Sequence, residues 1–198
     1  MKKTLTIVIS VLLLFVLSAC NDSNSNTISL AQLTDRESAI LSSSSDIAFV
    51  FDFNIDKENK EGNVWVEKYE FGNLVNDKIA NLTTQVEGNG SIIFTTSRTN
   101  HIQKQPTFNI AISGKDGLSS INAFDPDSNG IDNMAVMSAN FPGESISIEG
   151  EVVLASICYS NDGSMSSLTA DFYQDVDGHI NELEEYDIVY LFKADLIN

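Results

Sequence analysis

The chain has 198 residues, 42% of them hydrophobic, and a formal net charge of −17 from 28 acidic against 11 basic side chains. So strong a negative field disfavours nucleic acid and anionic lipid headgroups, while it favours cations and basic surfaces, so no nucleic acid partner is expected. The length suits one domain with a sizeable core and leaves little room for two.

Residues 1–19 read as a secretory leader: Lys2 and Lys3, then an apolar run of 13 residues from Leu5 to Leu17, then the small residues Ser18 and Ala19. A membrane-crossing helix needs about 20 residues, so the run is too short for a permanent span. The tetrapeptide Leu17-Ser18-Ala19-Cys20 resembles the lipobox of bacterial lipoproteins. That resemblance implies cleavage before Cys20, lipid (palmitate among it) on the cysteine, and attachment to the extracytoplasmic face of a cell membrane or outer membrane. Loss of Lys2 and Lys3 with the leader takes the charge from −17 to −19. Residues 20–29 then read as the lipidated cysteine and a polar tether, and residues 30–198 as a single β-rich domain. With Cys20 consumed by lipid, Cys158 has no disulfide partner; its apolar surroundings, Val152 to Tyr159, make it a small buried hydrophobe.

Thr34-Asp35-Arg36-Glu37 has the Thr-x-x-Glu spacing of a helix start, and predicts one or two turns capping an open end of the core. From Asp46 the period changes to two: Ile47, Phe49, Phe51, Phe53 and Ile55 share one face of a half-buried strand. The same alternation recurs at Phe108, Ile110 and Ile112, at Leu168, Ala170 and Phe172, and at Tyr186, Ile188, Tyr190, Phe192 and Ala194. Further strands are expected over Val64–Phe71, Ser91–Thr96, Ile131–Met137 and Ser145–Tyr159, the last divided or bent at Gly150. Leu74–Leu82 fits a helix face loosely. Turns are expected at Glu61-Gly62-Asn63, Gly88-Asn89-Gly90, Gly114-Lys115-Asp116-Gly117, Asn161-Asp162-Gly163 and Asp177-Gly178. About nine short strands at this spacing predict an all-β fold: a mainly antiparallel sandwich or barrel-like domain with a short N-terminal helix.

One loop collects hard oxygen ligands: Asp125-Pro126-Asp127-Ser128-Asn129-Gly130-Ile131-Asp132-Asn133. It resembles the opening of an EF-hand-type calcium loop, which implies Ca2+ ligation by Asp125, Asp127 and Asn129, with Asp132 as a further candidate ligand; the loop's twelfth position is Val136 rather than the usual Glu. The alternative is a solvated turn in an acidic protein. A second segment, Asp175 to Glu184, resembles the same loop with Asp175, Asp177 and Glu184 in ligand positions, but Tyr173 occupies its first, and a hairpin turn is the better reading. His101 and His179 lie in polar stretches expected to be exposed. Trp65, Tyr69 and Phe71 share a strand face and read as core or as the lining of a groove.

The chain carries no Gly-x-Ser-x-Gly elbow, phosphate-binding glycine loop, His-Glu-x-x-His helix or Cys-x-x-Cys pair. The expectation is therefore a membrane-anchored, non-catalytic binding or structural domain with an envelope protein or glycan as partner. The alternative is an extracytoplasmic hydrolase using carboxylates or calcium.

Overall fold

The computed structural model describes residues 26–55, 60–97, 105–128, 131–163 and 165–197. The leader, Cys20, His101, Asn129 and Gly130 lie outside them. Two antiparallel sheets pack face to face. The first has the order β7-β6-β5-β2-β1-β9, from β1 (Thr27–Leu30), β2 (Ser45–Asn54), β5 (Asn89–Ser97), β6 (Thr107–Gly114), β7 (Gly117–Phe124) and β9 (Ser145–Ser147). The second has the order β4-β3-β11-β10-β8, from β3 (Lys60–Glu70), β4 (Asn73–Val86), β8 (Ala135–Asn140), β10 (Val152–Ser160) and β11 (Ile188–Ile197). The protein is an all-β sandwich, not a closed barrel. Thr27–Ser29, polar enough to read as tether, join the first sheet by pairing Asn54–Asp52 on one side and Ser147–Ser145 on the other.

The period-two residues meet between the sheets. Phe49, Phe51 and Phe53 of β2, Phe94 of β5 and Phe108 of β6 face Tyr190 and Phe192 of β11. Their rings pack at close range, Phe108 with Tyr190 at 4.8 Å and Phe94 with Phe192 at 5.1 Å between centroids, in tilted and edge-on arrangements that suit the ring quadrupoles.

Strands β3, β10 and β11 are buried on both faces. That is why Val152–Tyr159 reads as a continuous apolar run instead of an alternating one. The cover on their outer face is residues 165–187, containing helix α2 (Ala170–Gln174) and a 3-10 stretch, Asp177–Glu185. Leu168, Phe172, Leu183 and Tyr186 from this cover bury against Tyr69, Val153, Cys158, Val189 and Leu191.

Several sequence expectations are corrected here. Leu168, Ala170 and Phe172 are not a strand: Thr169 caps α2 by accepting the Phe172 N–H at 3.2 Å, and Ala170 is exposed while Leu168 and Phe172 are buried. Spacing i, i+4 satisfies both periods, and only the middle residue separates them. Leu74–Leu82 is strand, not helix, because β4 hydrogen-bonds along β3 through bulges at Val66 to Tyr69. Gly62 lies inside β3, opposite Thr84 and Leu196, rather than in a turn. Asp177-Gly178 opens the 3-10 stretch rather than a hairpin. Gly150, at φ +99°, does divide the run from Ser145 to Tyr159, and its two halves go to different sheets.

Helix α1 (Asp35–Ser44) has the reciprocal cap expected of it: Glu37 N–H donates to Thr34 Oγ1 at 3.3 Å, and Thr34 N–H donates to Glu37 Oε2 at 2.8 Å. The helix spans ten residues, longer than the one or two turns expected, and at its end the Ser43 and Ser44 hydroxyls bond back to the Ile40 carbonyl and that of Ser45 to Leu41. None of its residues is buried, so it does not cap the core.

The turn from β3 to β4 has two central residues, Phe71 at φ +48° and Gly72 at φ +78°. Positive φ at both positions is the hairpin geometry that favours Asn-Gly, and it is strained for a bulky side chain. Phe71 is also 62% exposed, so packing does not offset that strain. Replacing Phe71 with Asn is expected to stabilise the domain by about 1 kcal/mol, read as a higher urea midpoint at unchanged slope. A lower midpoint would show that the aromatic ring contributes to the fold.

Candidate functional site

Two buried lysines organise the polar chemistry of the second sheet, one on each face. Along β3 the even positions Val64, Val66 and Lys68 face the core and the odd positions Trp65, Glu67 and Tyr69 face the cover. Both Lys68 and, across on β11, Lys193 are nearly inaccessible, at 2% and 5% exposure.

Lys68 lies between two carboxylates: its Nζ is 2.7 Å from Glu70 Oε1 and 2.9 Å from Asp125 Oδ2. Asp125 is itself 2% exposed. The Tyr190 hydroxyl donates to its Oδ2 at 2.7 Å, and the Asp127 N–H donates to its Oδ1 at 3.0 Å. Burial pulls the Lys68 ammonium down, but hydrogen bonds and charge from Glu70 and Asp125 outweigh it and leave the group above its ordinary range. The same burial, with the Asp125 charge beside it, pushes the Tyr190 phenol well up, so it acts as a donor.

On the other face, Lys193 Nζ is 2.9 Å from Glu67 Oε2 and also contacts Glu151. Glu67 accepts from Trp65 Nε1 at 3.1 Å and from the Tyr69 hydroxyl at 2.9 Å, so the stripe on β3 is a hydrogen-bonding one as well as an apolar one. Phe71 leaves that stripe and is exposed at the turn. Above Lys193 a cleft of about 440 Å3 opens between the sheet and its cover, lined among others by Tyr69, Glu151, Tyr173, Asp175, Asp177 and Lys193. Its mouth is acidic and its floor is an ion pair. Such a cleft suits a small polar or cationic ligand.

Of the loop's candidate ligands, the structure describes the side chains of Asp125 and Asp127. Asp125 turns into the core to meet Lys68 and Tyr190, while Asp127 is exposed. Asn129 and the side chain of Asp132 lie outside what the structure describes. Among the described residues no three His, Cys, Asp or Glu side chains are grouped to hold a metal ion. In the second loop, Asp175 Oδ1 accepts the Gly178 N–H at 3.0 Å and the Asp175 carbonyl meets the His179 ring, which is half-buried rather than exposed.

Sequence reading missed both lysines. The signal was present: a lysine at an inward position of the pattern Val64, Val66, Lys68, and another inside the apolar run Tyr190 to Ala194. A charge in such a position has to be paired.

Removing one partner of a buried pair leaves an uncompensated charge. Glu67→Ala is therefore expected to cost about 3 kcal/mol, whereas Glu151→Ala, whose side chain is 51% exposed, should cost under about 1 kcal/mol in the same urea titration. Equal losses would contradict this account of Lys193. Cys158 gives a pH test. Burial pushes its thiol up to about 12, so it stays protonated at pH 8 and should resist alkylation by iodoacetamide in the folded protein while reacting in urea. Rapid alkylation of the native chain would contradict the burial.

Residues 27–196 match the YgaN domain, so the chain belongs to the YgaN domain family. No curated protein and no solved structure matches it.

Proposed function

We propose that this YgaN-domain protein is a lipid-anchored, extracytoplasmic binding protein whose sandwich presents the pole farthest from its anchor to an envelope partner. Family membership carries no activity with it, so the reading rests on the chain itself. The leader and the lipobox-like Leu17-Ser18-Ala19-Cys20 support attachment through Cys20. None of the described helices is long and apolar enough to cross a membrane. A lipid on Cys20 would hold the domain by its first strand, and more than one acyl chain is needed for a stable hold.

The observation that carries the reading is Phe71. The described chain begins at Asn26, whose side chain accepts from Lys60 Nζ at 3.3 Å. From Lys60, β3 runs to Glu70, a path of about 33 Å at the usual rise per residue. Phe71 and Gly72 turn at its far end, with Leu74 and Val75, each 51% exposed, immediately after. The prong is both apolar and strained, and among the described residues Phe71 stays 62% exposed, so packing does not offset those costs. Strained residues are retained where a function uses them. Glu70 immediately precedes the turn and the side chain of Glu184 lies against Gly72, two acidic residues beside the prong. The partner that fits is a protein with an apolar pocket and a basic rim.

Two substitutions test the two halves of this reading in the producing cell. Cys20→Ser should move the protein out of the membrane fraction; full retention there would overturn the anchor. A photoreactive residue at position 71 should yield a defined adduct with an envelope protein, and one at exposed Leu118, near the opposite pole, should not. Absence of the adduct at 71, or the same adduct at both positions, would overturn the binding pole.

A further inference from the structure

Lys68, Asp125, Tyr190 and Glu70 form more than a balanced charge cluster. An amine sits in contact with an oxygen of a carboxyl group, both 2% exposed, and the Tyr190 that bonds to the same oxygen is held in the core with its ring 4.8 Å from that of Phe108 between centroids. Both oxygens of that carboxyl group already hold donors: the Tyr190 hydroxyl on Oδ2 and the Asp127 N–H on Oδ1. A second carboxylate, Glu70, holds the amine from the other side at 2.7 Å. These are the parts that an acyl-transfer step needs: a nucleophile in contact, donors where negative charge will develop, and a base on the attacking nitrogen.

We propose that Lys68 and Asp125 join through an intramolecular amide bond between Nζ and Cγ, formed by the folded chain itself with loss of one water. The resting pair is ionic, and the reaction proceeds through its neutral form after a proton passes from the ammonium to the carboxylate along their hydrogen bond. The free amine adds to Cγ, and charge develops on Oδ1 against the Asp127 N–H. Glu70 takes one proton from the nitrogen of the adduct. Collapse reforms the C=O bond and breaks the C–Oδ2 bond; the proton held by Glu70 goes to the departing oxygen, which leaves as water. Glu70 ends as it began. Amine and acid become amide and water, with no change of oxidation state and no co-reactant.

Exclusion of water decides which lysine reacts. Lys193 has a parallel set of neighbours, with Glu67 as the acid, Trp65 and Tyr69 as donors and Glu151 on the amine. It lines the open cleft, however, where water favours the unjoined pair. Lys68 faces the core. Replacing its ion pair with an amide also removes two buried charges, each of which is costly to desolvate. The bond would tie β3 of the second sheet to the residue following β7 of the first, a cross-link between sheets in a chain whose Cys158 is a free thiol.

Full-length protein is purified, unfolded in urea, digested and analysed by mass spectrometry. The peptide containing Lys68 should be found joined to that containing Asp125, lighter than the two together by one water, with fragment ions on both sides of the link. Glu70→Gln, a change at a partly exposed side chain, should leave the fold intact by circular dichroism and reduce the joined fraction at least tenfold after equal times. Full recovery of the two peptides unjoined from the aged wild-type protein would overturn the proposal, as would a link found only between Lys193 and Glu67.

Discussion

Burial of β3, β11 and β10 on both faces is the constraint on which the rest of the molecule depends. A sheet that faces a core on one side and solvent on the other tolerates charged residues on alternate positions. These three strands have no solvent side along most of their length. Their outer face needs a cover, and residues 165–187 supply it with short helical turns rather than a further sheet. Any charge on the strands has to be neutralised within the protein, which is why both lysines have two carboxylates each.

The two lysine clusters divide the labour by their access to water. Lys68 is enclosed between the sheets, where its partners come from a neighbouring position on its own strand and from the end of β7, so it links the layers. Lys193 lies under the cover at the floor of a cleft, where it shapes a polar surface that a ligand can reach. Phenols act as donors in both, kept protonated first by burial and then by the neighbouring carboxylate. Phe71, one residue past Glu70 of the Lys68 cluster, is left exposed at the turn where β3 ends.

The amino-acid sequence made the alternating strands legible because a period of two needs only a half-buried face. Ile47 to Ile55 and Phe108 to Ile112 are the plain cases, and Thr34 with Glu37 shows the helix start through chemistry local to four residues. Where the deciding contacts were remote, the pattern misled. Leu168 and Phe172 satisfy strand and helix equally, and Leu74–Leu82 became strand only because β3 offered it a ladder. The candidate site was less legible than the fold. Asp125 was visible as an acidic loop residue, but its partners are 57 and 65 positions away in sequence by the positions of Lys68 and Tyr190, and no spacing rule connects them.

By itself, then, the sequence determined the all-β character, the charge, the helix cap and the division at Gly150, because each rests on neighbouring residues or on composition. Tertiary structure alone decided that Asp125 turns inward, that Lys68 and Lys193 are buried and paired, that Glu67 joins Trp65 and Tyr69, and that Phe71 is left exposed at a strained turn. Those outcomes depend on which faces two sheets and a cover enclose, and enclosure is a property of the packed whole, since the energy of a charge or a ring depends on how much water remains beside it.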